Sequence, residues 1–477
     1  MTTETQPQPQ PPTIERTKPK RERVDGLTID DIKTLDIDDA VWVHDGADGA
    51  TVVTVSIADV AREVLSGSEH DVAARARVET RYFASGNSPM LPRVLADDKL
   101  SLRVYQERRT MSVEVTLRTD GTRGVRVFRS RMRSAARLSY DQIPILLARE
   151  NGEDPERNRI TTVVTRLSRI AASLLDARRK DGALTLYDLN NGWVTNEEGA
   201  LTQLERRTDT IGYVLVQEMM ILANSALAEF AIANDIPILF RNHTARASAP
   251  EGRELAEQIE SAIHAPAAQL DALRKRVHML LNRAEYSASV SGHYGLALPA
   301  YTHWTSPIRR YADLVSHRQV RAFLSGEPYP HSREEIQALA THVNAVIEAE
   351  REAVSQRHAD KAEALAQARL DDERRIDSLD MKSFERVMKV AARSGLDAGE
   401  HFVRACERRI AEGRMSNCAR CVALFEAPHL PHWFGLRAKI VTSLRKTTED
   451  AVAILSMASQ TLDVPMPVLE AEMTGAS

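Results

Sequence analysis

From Leu27 the chain turns to segments of alternating apolar and polar residues, and beyond Ile160 its apolar residues recur at spacings of three and four. A strand points successive side chains to opposite faces and a helix turns about every 3.6 residues, so one pattern cannot serve the other element. The order of the two patterns predicts strands first and helices later, in an α+β (mixed α/β) body of sheets flanked by helices. "AVWVH" and "TVVTVSI" read as strands joined across the glycine-containing "DGADGA", with Asp59 placed to cap a helix over "VAREVL". "RTMSVEVTLR" and "RGVRVFRSRMR" read as two more strands with the turn "TDGT" between them. "TTVVTRLSRIAASLLDARR" and "IGYVLVQEMMILANSALAEFAIAN" read as helices.

At 477 residues the chain exceeds one ordinary core, which predicts one large domain with smaller additions or two to three domains. Residues 1–24 hold "QPQPQPP" and "RTKPKRER", a Pro/Gln tract and a basic cluster that cannot bury a core, and read as a disordered arm. Residues 25–375 form the body, closed by a long charged amphipathic helix or helix pair over 333–374. Residues 376–477 read as a small, mainly helical region. Its end, "DAVAILSMASQTLDVPMPVLEAEMTGAS", resembles the first helix and strand entry of a truncated double-stranded RNA-binding domain; a core amphipathic helix explains it as well.

Charged residues make up 27% of the chain and no run of about 18 apolar residues interrupts them, so neither a membrane class nor a spanning helix is expected. The N-terminus carries no apolar signal segment, and three cysteines fit a reducing compartment, so the cytoplasm is the expected location. A net charge of −4 argues against a basic nucleic-acid coat, while leaving room for an enzyme that confines its Lys and Arg to a channel. Cys418 and Cys421 in "CARC", with His429 and His432 following, have a spacing shorter than a zinc finger's and are interrupted by Pro428 and Pro431, so core cysteines are expected and zinc is disfavoured.

"LTIDDIKTLDIDDAVWVHD", from Leu27 to Asp45, sets Asp30, Asp31, Asp36, Asp38 and Asp39 within ten residues. Carboxylates held side by side raise one another's pKa or push apart unless a cation sits among them. Oxygen donors with no nearby His or Cys favour Mg²⁺ or Mn²⁺ over Zn²⁺. A calcium loop beginning at Asp30 would need ligands at Ile32 and Thr34 and an acid where Val41 stands, so that reading fails. The plain alternative is a solvated acidic turn, against which stand the Leu, Ile and Val threaded between the acids. Far along the chain, "GHYGLALPAYTHWTSPIRRYADLVSHRQV" (Gly292 to Val320) gathers Gly, aromatic, His and Arg residues that packing alone does not require. Pro307 suits the first turn of a helix carrying Arg309, Arg310, Asp313 and His317, with Arg309 and Asp313 on one face. A guanidinium there suits a phosphate, and one of the two arginines is expected to pair with Asp313 instead.

Taken in order, "TIDDIKTLDIDDAV", "SIADVA", "SPMLPRVLADDKLSL", "QEMMILAN" and "YTHWTSPIRRYADLVSHR" resemble the ribonuclease II and ribonuclease R family, whose catalytic body is the RNB domain; the resemblance covers about residues 25 to 375. It implies hydrolysis of single-stranded RNA from the 3′ end to nucleoside 5′-monophosphates, with two Mg²⁺ ions at the bottom of a narrow tunnel. By motif position it makes Asp30, Asp36, Asp38 and Asp39 the metal-holding aspartates, with Asp38 catalytic, and Arg309 the arginine on the scissile phosphate. Tyr140 in "ARLSYDQ" matches the tyrosine that stacks near the terminal base; a half-buried core tyrosine is its plain reading. Phe240 in "ILFRNH" is the candidate for a second clamping aromatic, with Arg241 or His243 as alternative phosphate or sugar contacts, and His303 and Arg310 are further expected RNA contacts. Glu218 and Asn224, buried polar residues on an apolar helix, either support the site from behind or lie on ordinary helix surface.

The aspartate motif begins almost at the N-terminus and no S1-like strand pattern follows the body, so the cold-shock and S1 modules of full-length family members are not expected here. That bears on affinity, processivity and strand selectivity. A non-catalytic RNA-binding scaffold and a structured-RNA processing nuclease are the competing readings.

Overall fold

A computed structural model describes residues 21–83, 86–150, 152–184, 193–195, 201–203, 210–263, 279–370, 372–444, 448–462 and 464–474. They fall into two compact units, residues 1–347 and 348–477, divided inside the helix Arg333–Leu370.

The first unit is built on a five-stranded closed barrel: β1 (Glu22–Asp30), β2 (Asp39–Asp45), β3 (Thr51–Ala58), β6 (Glu107–Leu117) and β7 (Arg123–Ser139), in that order around the ring. The short hairpin β4 (Arg81–Phe83) and β5 (Gly86–Ser88) lies outside it. Four antiparallel steps around an odd number of strands return the chain pointing the same way, so the closing pair β1·β7 is parallel. Alternation delivers Leu27, Val41, Val53, Val55, Val113 and Val115 to a shared core. Ser56, Ser112, Ser130 and Thr110 are buried as well, and their hydroxyls satisfy one another in a chain of contacts of 2.7 Å each.

Against the barrel core pack α3 (Gln142–Leu147), α4 (Pro155–Lys180) and α5 (Thr210–Ala233). Asp154 caps α4 by accepting from the N–H groups of Glu156 and Arg157, and Pro155 occupies the position that needs no donor. α5 has the length and mean hydropathy (1.4) of a bilayer-spanning helix, a property the sequence reading did not expect. Its most apolar window is 72% buried within the protein, which is what an apolar surface on all sides of a core helix requires. A second core joins Ile37, from the aspartate loop, to Met90, Leu91, Ile308, Tyr311, Leu314 and Val315. The helix Tyr311–Ser325 is anchored to α2 (Glu69–Arg77) by a buried ion pair, Arg318 to Asp71 at 2.7 Å, with the Tyr311 hydroxyl donating to the same carboxylate at 3.0 Å.

Three local expectations are corrected. The arm expected over 1–24 lies outside the described residues up to residue 20, and Glu22 already begins β1, because β7 offers it a parallel partner more than 100 residues away. Asp59 stands before the helix Val60–Glu63 but makes no side-chain cap; its carboxylate is taken by Arg21. Helix Tyr311–Ser325 starts four residues after Pro307, because Ser306–Arg309 closes a turn in which the Ser306 carbonyl accepts from both Arg309 and Arg310.

The second unit has its own core, with Phe384 and Phe402 stacked at 4.8 Å and Trp433 edge-on to Phe402 at 6.2 Å. Its described residues from Met381 onward are helical or connect helices. The strand entry expected near the end is instead the helix Met466–Thr474, begun where the Pro465 carbonyl accepts from Val468 and Leu469 and held by buried Leu469. Cys421 is buried in that unit's core, His432 pairs with Asp397 at 2.6 Å, and His429 accepts from Arg437 at 3.3 Å.

Candidate active site

Asp30 is the last residue of β1 and Asp39 the first of β2, so the other acids lie on the connection between two barrel strands. That connection is irregular, and its backbone groups are satisfied from both sides. The Arg137 guanidinium donates to the carbonyls of Ile32 (3.0 Å) and Thr34 (2.6 Å). Ser101 donates its hydroxyl to the Leu35 carbonyl (2.7 Å) and accepts the Ile37 N–H (3.3 Å), and the Leu102 N–H donates to the Ile37 carbonyl (3.0 Å). Ile37, 1% exposed, drives inward, and Asp38 beside it is 4% exposed.

The second half of the site is the turn before Tyr311. The Ile308 N–H donates to Asp38 Oδ1 at 2.8 Å, which ties the turn to the aspartate loop. Asp313, fully buried, accepts the Ser306 N–H (2.8 Å) and both arms of the Arg310 guanidinium (2.9 Å each). Arg310 is thus the arginine paired with Asp313. The expected facing of Arg309 and Asp313 is not formed, because Arg309 lies in the turn and not on the helix. The positive charge of Arg309 instead opposes the upward pKa shifts of Asp30, Asp36 and Asp38.

Those shifts arise first from burial. Burial raises the Asp30 carboxyl to about 6, against the lowering charges of Arg137 and Arg309. It raises Asp36 as well, with Asp97 adding to the rise, and lifts Asp38 well above the usual carboxylate range, with Asp36 and Asp39 adding. Asp30 Oδ2 and Asp38 Oδ2 are buried without a hydrogen-bond partner. Buried oxygen acceptors left unsatisfied beside other acids are what a hard divalent cation neutralises, so the donor set fits Mg²⁺ or Mn²⁺. Among the described residues, however, no three His, Cys, Asp or Glu side chains converge around one point as metal ligands.

Asn224 and Glu218 hold the approach to the turn. Asn224 donates to the Tyr301 hydroxyl (3.1 Å) and accepts the Trp304 N–H (3.0 Å), so one buried amide fixes both ends of the segment before Thr305. Glu218, 1% exposed, pairs with Arg178, which also reaches the Leu296 carbonyl at 3.5 Å. Neither lies on ordinary helix surface.

The β1·β7 register sets Asp30 opposite Ser139, which places Tyr140 next to the acids. Tyr140 is half-buried and stacked on Tyr213 of α5, ring centroids 4.1 Å apart and 14° from parallel. The close approach rests on Gly212, where an added Cβ would lie 2.7 Å from the Tyr140 carbonyl oxygen. Phe240 is 4% exposed in the barrel core, so the expectation of a base-clamping ring there is corrected: the strand Phe240–Asn242 turns it inward. Arg241 lies over the Tyr286 ring at 4.4 Å, and His243 is held by the Gly295 N–H and the Asn282 carbonyl. His303 is partly buried, its Nδ1 2.7 Å from the Tyr286 hydroxyl, and burial beside Arg310 pushes its pKa well down. Sequence reasoning missed Tyr213, Tyr301 and the Ile308 amide. The first two carried no signal beyond aromatic character, and a backbone donor carries none.

The RNB domain family model matches residues 22–326. Exoribonuclease 2 of Enterobacter sp. (strain 638) is 32% identical over 330 residues, which is 65% of this chain and 51% of that protein, so the chain spans about half the length of the curated relatives it matches. Mycoplasma genitalium RNase R, solved in complex with ribose methylated single-stranded RNA, shares the fold at a TM-score of 0.60 and 23% identity, over 71% of this chain and 58% of that one. Yeast Ssd1, a pseudonuclease, shares it at a TM-score of 0.55 and 23% identity, over 71% of this chain and 44% of that one. With the family model spanning the barrel, the aspartate loop and the turn that meets it, the chain belongs to the RNB domain family.

Proposed function

We propose that this chain is a hydrolytic 3′ to 5′ exoribonuclease that releases nucleoside 5′-monophosphates. The observation that carries the reading is Asp38: buried, tied through one oxygen to the turn bearing Arg309, and left with the other oxygen unsatisfied. Asp30, Asp36, Asp38 and Asp39 would hold Mg²⁺, or Mn²⁺, which when bound activates water for attack and steadies the leaving oxygen. Arg309 sits by the acids to bind the scissile phosphate and offset charge gathering on it. The outer face of the Tyr140–Tyr213 stack offers a sequence-tolerant platform for a terminal base. Of the expected RNA contacts, His303 is held by Tyr286 and Arg310 by Asp313, which suits them to brace the turn more than to grip RNA.

Purified protein with a 3′-extended RNA and Mg²⁺ should yield mononucleotides, with the products lost in EDTA and in Asp38→Asn. Turnover persisting in that variant would place the chemistry elsewhere. A second reading, an RNA-binding body without turnover, is favoured by the failure of the acids to converge as ligands and predicts stoichiometric RNA binding with no product under any metal.

A further inference from the structure

On the outside of the barrel, strand register sets three arginines in a row: Arg109 of β6 opposite Arg131 of β7, and Arg131 opposite Arg23 of β1. Like charges directly opposite on neighbouring strands repel, and one carboxylate serves two of the three. Glu107 lies 2.8 Å from Arg131 and 3.7 Å from Arg23. Arg109 is exposed, and its side chain makes no hydrogen bond or ion pair among the described residues. Beside the row opens a cavity of about 310 Å³ lined by Arg62, Lys99, Arg108, Arg109 and Arg131. The three carboxylates that line it are engaged already: Asp59 by Arg21, Glu63 by Lys99 (2.6 Å) and Arg62 (3.6 Å), and Glu107 by Arg131 and Arg23. The surplus is cationic, so the complementary ligand is an anion.

The width of the row and one neighbouring ring decide which anion. Three adjacent strands span roughly 10 Å, more than a lone phosphate covers. Tyr105, two residues before Glu107, is 66% exposed and held at φ 61°, a backbone conformation that residues with a side chain avoid. Its N–H donates to the Ser134 carbonyl (2.9 Å) and its carbonyl accepts from Arg133 (3.0 Å), so β7 fixes the backbone and leaves the ring in solvent. A positive row with an aromatic face beside it is how proteins hold a flexible strand, phosphates on the cations and a base on the ring. The same strand leads to the proposed active site: further along β7, Arg137 holds the aspartate loop and lowers the Asp30 pKa.

We infer that the Arg23–Arg131–Arg109 row, its adjoining cavity and Tyr105 form a second binding site for single-stranded RNA, outside the proposed active site, that takes the backbone of a long substrate. The identity of the strand as RNA rests on the hydrolysis reading; the site itself does not.

The test measures binding by anisotropy in EDTA, so that hydrolysis plays no part, using 3′-blocked RNAs of about 6 and about 25 nucleotides. Arg109→Glu combined with Tyr105→Ala should weaken the long RNA about tenfold, with a shallower salt slope, and move the short one far less. Arg109→Lys should restore the charge-dependent part. Arg118→Glu, at the far β6–β7 hairpin with the same change in net charge, should bind the long RNA like the parent. Equal losses on both lengths, no loss on either, an equal loss from Arg118→Glu, or removal of the length difference by millimolar inorganic phosphate would each overturn the site. A parent that binds with this length dependence yet hydrolyses nothing supports the site and refutes the nuclease reading.

Discussion

Ile308 donates its backbone N–H to Asp38 Oδ1 at 2.8 Å, joining residues 270 apart in the chain. The bond makes the acid loop and the arginine turn one structure, and it lets charge and shape be separated by substitution. Asn keeps an oxygen acceptor at position 38 and imitates the neutral carboxyl that burial favours. Asp38→Asn should therefore retain or raise the melting temperature while hydrolysis falls at least about a hundredfold. Asp38→Ala leaves the Ile308 N–H buried and unpaired, and should lose about 1–3 kcal/mol in denaturant unfolding.

Asn224 bridges the Tyr301 hydroxyl and the Trp304 N–H. Asn224→Leu fills similar space but strands both buried groups, so a loss of about 2–4 kcal/mol is expected. Asn224→Asp, which keeps one acceptor for the Trp304 N–H, should recover part of the stability. The urea midpoints of the two variants check the order.

Glu218 and Arg178 form a buried ion pair in which each is the other's charge partner. Glu218→Gln would take from the guanidinium the charge that Glu218 supplies. A destabilisation of about 3–5 kcal/mol, larger than that of any surface ion pair here, is the expected reading in thermal unfolding.

Strands β2, β3, β6 and β7 were legible because alternation is a local property, and each of their apolar faces is written within a few residues. β1 was half hidden: "RERVDG" reads as the end of a basic tail, and only β7, distant in sequence, makes Glu22–Gly26 a strand. The same limit governs the site. Aspartates and arginines announce themselves by type and spacing, so the two motifs could be paired on paper and an arginine pairing with Asp313 three or four residues away could be expected, whereas Asp59 has its partner, Arg21, set by tertiary contact. Phe240 shows the converse error, since an aromatic beside "RNH" has the composition of a stacking ring but its strand places it in the core.

His317 is buried, stacked on Trp304 at 4.3 Å, with Nε2 2.7 Å from the Trp304 carbonyl. Burial pushes its pKa down to about 4 from an ordinary 6.5. Between those values the unfolded chain binds the proton and the folded one does not, so its contribution is complete above pH 6.5 and is lost as pH falls towards 4. A shift of that size corresponds to about 3 kcal/mol. His317→Gln, which keeps a donor for the carbonyl, should flatten the difference in unfolding free energy between pH 7 and pH 4 by that order.

Asp30 works in the opposite direction. Its carboxyl is raised to about 6 from 3.8, so without a cation its contribution is complete below pH 4 and is lost as pH rises through 6. A cation held by the acids binds their ionised forms and must displace those protons, so its stabilising effect grows with pH over the same interval. The stabilisation on adding Mg²⁺, followed by thermal unfolding, should then be small at pH 5 and large at pH 8, of the order of 1–3 kcal/mol at saturating ion. Asp30→Asn should reduce the metal-free decline between pH 4 and 6, leaving the part that Asp36 and Asp38 contribute, and, combined with Asp38→Asn, abolish the Mg²⁺ shift. A shift of parent size in the double variant would mean that the ion is held by other residues and that these acids are stabilised by something else.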